Sequence, residues 1–99
     1  MTHRVVFTPS AKQDLRAARE WYDAHELDLG KAFLNDVLAA TNRMGSNPEQ
    51  FAKAYVEVRQ LVLKRFPYVI SFRVNNDQVE VLSILHGNRN PDIWKRRSR

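Results

Sequence analysis

The spacing of apolar side chains changes midway along the chain. Ala11, Leu15, Ala18, Tyr22 and His25 recur at steps of four and three, which traces one face of an α-helix. Asp14, Arg16, Arg19, Glu20 and Asp23 occupy the intervening positions. A second stripe of the same period runs through Phe33, Val37, Ala40 and Met44, with Leu34, Leu38 and Thr41 beside it. Beyond Pro48 the period falls to two. Tyr55, Glu57 and Arg59 alternate with Val56, Val58 and Gln60, and Leu61, Leu63 and Arg65 alternate with Val62, Lys64 and Phe66. Tyr68, Ile70, Phe72 and Val74 form the next apolar face. Such alternation marks half-buried β-strands.

The boundaries follow from capping and turn residues. His3 to Phe7 is β-branched and aromatic, so a short strand is expected, ending at Thr8. A helix opens next, capped by Thr8 or Ser10. Pro9 suits the first turn, and Gln13 stands three residues after Ser10 as a capping box requires. It runs to about His25. The segment Glu26 to Gly30 is a short turn, and a second helix extends from about Leu29 to Met44, with Gly45 and Pro48 as its stop signals. Asn75, Asn76 and Asp77 supply a hairpin turn before a last strand from Val79 to His86. The expected fold class is α+β: an N-terminal strand and an antiparallel two-helix hairpin, packed on one face of a three- to four-stranded antiparallel sheet.

At 99 residues the chain is one domain, residues 1–99, large enough to bury a core without staples. The absence of cysteine removes disulfides and thiolate metal sites, and no metal site or cofactor is expected. No apolar run approaches the ~20 residues of a spanning helix, so no membrane role is expected. The amino end does not resemble a signal sequence, which makes the cytoplasm the expected address. Charge is divided unevenly. Residues 1–50 hold six Lys/Arg and seven Asp/Glu, residues 51–99 hold ten and four, and the overall formal charge is +5. Lys95, Arg96, Arg97 and Arg99 form a basic tail at 95–99. An anionic partner met by the second half is the implied consequence, whether nucleic acid or an acidic protein segment. A solvated, idle tail is the competing reading.

Candidate chemistry gathers just past the last strand, where His86, Arg89 and Trp94 follow one another. Polar and aromatic groups at the tip of a rigid sheet are directed by the strands yet remain in water. Each also has a purely structural role open to it. His86 can fix the following turn, Arg89 can bridge to Asp92 or a carbonyl, and Trp94 with Pro91 can fold the tail onto the sheet. Arg59 can form an ion pair with Glu57. Trp21 lies off the main helical stripe and is a candidate for either an interface or packing.

Taken together, the order of elements resembles the ParE/RelE toxin superfamily of bacterial toxin–antitoxin modules. The residues that carry the resemblance are Asp14, Leu15, Trp21 and Tyr22 in the first helix, Phe33 in the second, and Arg59. To these are added Phe66, Pro67, Tyr68, Ile70 and Phe72, and then His86, Arg89, Pro91 and Trp94. The likeness covers almost the whole chain. Its most specific part is Phe-Pro-Tyr-x-Ile-x-Phe followed, after a strand, by His-x-x-Arg-x-Pro-x-x-Trp, as in the ParE-like branch and many plasmid-stabilisation proteins. The resemblance implies a toxin neutralised by a cognate antitoxin, possible hetero-oligomers with it, and antitoxin contacts at Trp21 and Tyr22. It also implies target contacts at Arg59, Arg65, His86, Arg89 and Trp94.

Two targets are compatible with that family. ParE-like members poison DNA gyrase, whereas RelE-like members cleave messenger RNA on the ribosome. Cleavage by a 2′-hydroxyl needs a base, an acid and cations for the developing phosphorane charge. His86 and Arg89 are the catalytic candidates in that case, with Arg59, Lys64 or Arg65 holding phosphate. Two departures favour the gyrase reading: the strand position after Tyr68 is the apolar Val69, and the terminal aromatic Trp94 has no acid–base function. A third reading is a nucleic-acid-binding module driven by the basic tail.

Overall fold

The computed structural model describes residues 3–98. Strand β1 spans Arg4–Phe7 and helix α1 Pro9–His25. Helix α2 covers Leu29–Ser46. Strands β2 (Lys53–Tyr55), β3 (Val58–Val62), β4 (Tyr68–Asn75) and β5 (Gln78–His86) follow, and a short helix α3 spans Asp92–Arg97.

The strands make one five-stranded sheet in the order β1-β5-β4-β3-β2. Strands β2 to β5 form an antiparallel meander. The N-terminal strand lies parallel to β5, with Arg4 opposite Gln78 and Phe7 opposite Val81. The α+β class is as expected, but the sheet is wider than the three or four antiparallel strands anticipated, because β1 joins it. The expected run from Tyr55 to Phe66 is also broken, with Val56 taking a left-handed φ of 49° in a tight turn between β2 and β3. A β-branched side chain disfavours that backbone, so alternation alone concealed the turn.

The helices form as their stripes require. Thr8 is the cap of α1: its Oγ1 accepts from Ala11 N at 3.2 Å, and Pro9 opens the first turn. Helix α2 runs past its expected stop. Gly45 lies inside it, and a Cβ there would come 3.0 Å from His3 O, so the glycine lets α2 pass close to the chain entering β1. Gly30 serves a similar purpose where α2 begins, since a Cβ would stand 2.9 Å from Arg19 O and collide with the Asp23 side chain.

Both helices pack on one face of the sheet. Phe33, Val37 and Met44 of α2 and Ala11 and Ala18 of α1 meet Leu61, Ile70, Phe72, Val79, Val81 and Ile84 there. Each large side chain so buried contributes roughly 1.5–3 kcal/mol relative to exposure. Tyr22, Phe33, Phe66 and Tyr68 form a cluster of tilted and edge-on rings with centroids 4.9–6.0 Å apart. The opposite face carries a smaller core of Val58, Leu82 and Trp94, with Tyr55 against it.

The basic tail, as far as it is described, is a docked element. Helix α3 lies on that second face, held by Trp94 and by two arginines. Arg73 Nη1 donates to Ser98 O at 2.7 Å, and Arg97 Nη1 donates to Leu82 O at 3.1 Å and to Asp14 Oδ2 at 2.6 Å. The solvated-tail reading therefore fails for Arg97. Arg99 lies outside the described residues.

Candidate functional site

A bulge in β5 organises the site. Phe72 of β4 faces Val81 while its neighbour Ser71 faces Ser83, so β5 carries one extra residue, Leu82. The bulge coincides with the end of β1, whose last pair is Phe7 with Val81, and Thr8 N still donates to Val81 O. Among the described residues, the outer edge of β5 from Leu82 to His86 has no neighbouring strand. The first groups on that edge are satisfied by side chains: Leu82 O accepts from Arg97, and Ile84 N donates to Asp14 Oδ2 at 3.0 Å. Strand alternation directs the next edge-facing groups, Ile84 C=O and His86 N–H, outward.

That open edge forms one wall of a cleft of about 530 Å³, with α1 as the other wall. Trp21, Tyr22, Tyr68, Ile84, His86 and Arg89 line it. Trp21 is 54% exposed, stacks on His25 with ring centroids 3.7 Å apart, and meets Tyr22 edge-on at 5.1 Å. His25 Nδ1 lies 2.7 Å from Trp21 O, which holds that stack in place. Tyr68 pairs with His86 across β4 and β5, and their rings lie 5.6 Å apart.

Burial raises the Tyr22 phenol, and the neighbouring Tyr68 raises it further. Burial likewise raises Tyr68, while the Arg89 guanidinium partly offsets the rise by favouring phenolate. Both phenols are therefore neutral hydrogen-bonding groups at physiological pH.

His86 and Arg89 also border a smaller cavity of about 320 Å³ on the opposite face, lined by Gln60, Val69, Ser71, Leu85, Pro91 and Trp94. Its strand positions are neutral. Gln60 Nε2 donates to Ser71 Oγ at 3.1 Å, which ties both side chains to each other.

The structure brings together Trp21, Tyr22, His86 and Arg89, assigned at first to two different partners. His86 fixes its turn, since Nδ1 accepts from Asn88 N at 3.1 Å, and its other ring nitrogen remains available for contact. Arg89 is exposed and, among the described residues, has neither of its suggested bridges; its backbone N–H donates to His86 O at 2.9 Å.

The other expected target residues do not line the cleft beside α1. Trp94 is only 9% exposed and is a plug beneath α3, with Tyr55 edge-on at 6.1 Å and Lys95 Nζ 5.8 Å from its ring. Its apolar area is spent on docking α3, so of its two readings the structure takes the plug and corrects the placement at the contact rim. Arg59 does not pair with Glu57, which is bonded to Lys53 at 3.2 Å. Instead Arg59 Nη1 donates to Phe51 O at 2.6 Å, so it anchors the loop before β2. Arg65 is exposed in the loop between β3 and β4, its backbone N–H donating to Asp36 Oδ2 at 3.1 Å, and it does not line the cleft.

Tyr68 and Asp14 were not among the expected site residues, although both lie in segments that carried the resemblance. Tyr68 was legible as the third residue of Phe66-Pro67-Tyr68. Nothing local marked Asp14 as a partner of β5. Among the described residues no group of three or more His, Asp or Glu side chains could hold a metal ion, and no helix is long and apolar enough to cross a membrane.

The sequence profile described as "ParE toxin of type II toxin-antitoxin system, parDE" matches residues 5–91. The chain is 28% identical to "Toxin ParE2" of Mycobacterium tuberculosis over 93 residues, covering 93% of this chain and 89% of that protein. Its fold is similar to a chain of the chromosomal ParDE system from P. aeruginosa, with a TM-score of 0.71 and 24% identity, covering 86% of this chain and 96% of that one. It is also similar to a chain of the toxin–antitoxin complex RelBE2 from M. tuberculosis, with a TM-score of 0.60 and 16% identity, covering 87% and 99%. With the profile spanning both helices and every strand up to Pro91, the chain belongs to the ParE toxin family of type II toxin–antitoxin systems.

Proposed function

We propose that this toxin acts in the cytoplasm by binding and inhibiting DNA gyrase, and that a cognate antitoxin neutralises it by forming a complex with it. The observation that carries the reading is the neutral lining of the face opposite the helices. There the strand positions flanking His86 and Arg89 are Gln60, Val69, Ser71 and Leu85. A ribonuclease needs cations spread around the developing phosphorane charge and a matched acid and base, and this cavity supplies one imidazole and one guanidinium. Inhibition by binding needs no proton transfer. It needs a rigid, partly apolar surface with directed polar groups, which the aromatic cleft beside β5 provides.

The antitoxin complex has its support in the family membership and in the fold shared with chains of ParDE and RelBE2 toxin–antitoxin systems. The direct test is purified toxin with gyrase and plasmid DNA. Accumulation of cleaved DNA or loss of supercoiling is the expected result, and unaltered gyrase at saturating toxin refutes the proposal.

The ribosome-dependent ribonuclease rests on His86, whose Nδ1 is occupied by Asn88 N and whose other ring nitrogen is left for proton transfer. It predicts cleaved message on programmed ribosomes and a loss of ~10²–10⁴-fold for His86→Ala. Intact message removes it.

A further inference from the structure

We propose that two copies of this toxin associate through the solvent-facing side of α1, the two helices lying antiparallel about a two-fold axis that passes between Arg19 and Glu20. The inference is independent of the gyrase reading and uses a different surface from the cleft beside β5.

The first support is the order of charges. Lys12, Arg16, Arg19 and Asp23 recur at steps of four, three and four, with Glu26 three positions further on. They share one exposed stripe. Its signs are sorted, three cations and then two carboxylates, and that order opposes the helix dipole, which favours acids at the amino end and bases at the carboxyl end. The first turn of α1 indeed holds no acid. Inside the chain the stripe gains one loose ion pair, Arg19 with Asp23 at 3.8 Å, while Lys12, Arg16, Glu20 and Glu26 have no ion-pair partner among the described residues.

An antiparallel copy answers both deficits. With the axis so placed, Arg16 faces Asp23 of the second copy, Arg19 faces its Glu20, and Lys12 faces its Glu26 and Leu27. The two-fold repeats each pair and closes the assembly at two. Each basic amino-terminal half also comes to lie beside the negative end of the other helix dipole.

The second support is apolar. A groove of about 610 Å³ has Phe7, Leu15 and Leu34 on its floor and Lys12, Arg16 and Arg19 at its rim. Leu27, in the turn after α1, is 88% exposed. It stands between Glu26 and Asp28, and Asp28 takes a left-handed φ of 65° while its side chain makes no capping bond to α2. An apolar side chain flanked by carboxylates complements an apolar groove rimmed by cations. The antiparallel arrangement carries Leu27 of each copy to the Lys12 end of the other's groove. Trp21 lines the cleft on the other flank of α1, so the dimer leaves both clefts open.

The test is sedimentation velocity of the full-length toxin. A dimer with a dissociation constant in the micromolar range, about 10⁻⁶–10⁻⁴ M, is expected at low salt, weakening about tenfold or more as ionic strength rises from about 0.05 to about 0.5 M. Leu27→Ser should weaken it by a similar factor and leave the urea midpoint in place, because the side chain is exposed. Arg16→Asp or Asp23→Arg alone should do the same, since each sets like charges opposite one another at both contacts. Mixed in equal amounts, those two variants should recover dimers, and one chain carrying both changes should dimerise with itself.

A toxin that stays monomeric at millimolar concentration overturns the proposal. So does a dimer indifferent to Leu27→Ser and to both charge reversals, which would use another surface. Failure of the mixture and of the doubly reversed chain to recover dimers overturns the antiparallel register.

Discussion

Arg97 Nη1 donates to Asp14 Oδ2 over 2.6 Å, joining α3 on one face of the sheet to α1 on the other around the uncovered edge of β5. The same carboxylate oxygen accepts from Ile84 N, and the same guanidinium nitrogen donates to Leu82 O. Both side chains are largely buried, with Asp14 the deeper of the two. Four groups are therefore satisfied together, and each depends on the others.

Asp14→Ala leaves Ile84 N–H and the Arg97 guanidinium without their acceptor, and should destabilise the fold by about 2–4 kcal/mol. Arg97→Ala strands the Leu82 carbonyl and leaves the buried Asp14 carboxylate with Ile84 N–H as its remaining partner, and should also destabilise the fold, by about 2–4 kcal/mol. Urea titration with an unchanged slope measures both. An Asp14→Ala protein within about 0.5 kcal/mol of the parent would show that the clamp contributes little.

Trp94→Ala removes the largest contact between α3 and the sheet, since the second core consists of Val58, Leu82 and Trp94 with Tyr55 beside them. The expectation is local. Amides of Asp92–Arg97 lose their exchange protection while those of β4 and β5 keep theirs. Uniform loss of protection along the whole chain would mean that α3 is integral to global folding.

Gly30→Ala places a methyl group against Arg19 O and the Asp23 carboxylate. Alanine is normally the better helix former by about 0.8–1.0 kcal/mol. Here overpacking opposes that preference, and a net loss of about 1–3 kcal/mol is expected because the obstruction includes backbone. A stabilised variant would show that α1 and α2 can separate freely at this end.

Alkaline pH should weaken the fold through one buried phenol, Tyr22, and one half-buried phenol, Tyr68. Tyr22 and Tyr68 are raised above the usual 10.0, Tyr22 first by burial and then by Tyr68, Tyr68 by burial against the opposing pull of Arg89. As pH rises, the unfolded chain loses these protons first. The stabilising contribution is therefore complete below the unfolded value and lost as pH passes through the raised folded values. Urea midpoints followed from about pH 8 to about pH 11 should fall, and Tyr22→Phe should flatten the fall. Arg89→Ala should steepen it, because the group that favours the Tyr68 phenolate is gone. A midpoint unchanged across that range contradicts the argument.

The amino-acid sequence by itself determined the two helices and most strands, for a physical reason. Side-chain period, caps and turn residues act over neighbours three or four positions apart, and each of those interactions is written locally. Phe33, Val37, Ala40 and Met44 had to share a face of any helix containing them, and all are buried. The motif from Phe66 to Trp94 likewise supplies lining residues of both cavities that meet at His86 and Arg89.

Only the tertiary structure decided the rest. Asp14 and Ile84 N are 70 positions apart, and Asp14 and Arg97 are 83, so no local pattern could pair them. Gly45 read as a stop because its special contact is with His3 O, which lies outside its helix. Arg59 read as a target contact or as half of an ion pair with Glu57 because its partner, Phe51 O, comes from another segment, and Trp94 offered both a rim contact and a plug under the tail until the packing of α3 made it the plug. The placement of β1 beside β5, and its ending short of the tip of β5, left an open edge next to Trp21 and Arg89. That edge is a property of two strands of unequal length laid side by side, and it exists only once they have met.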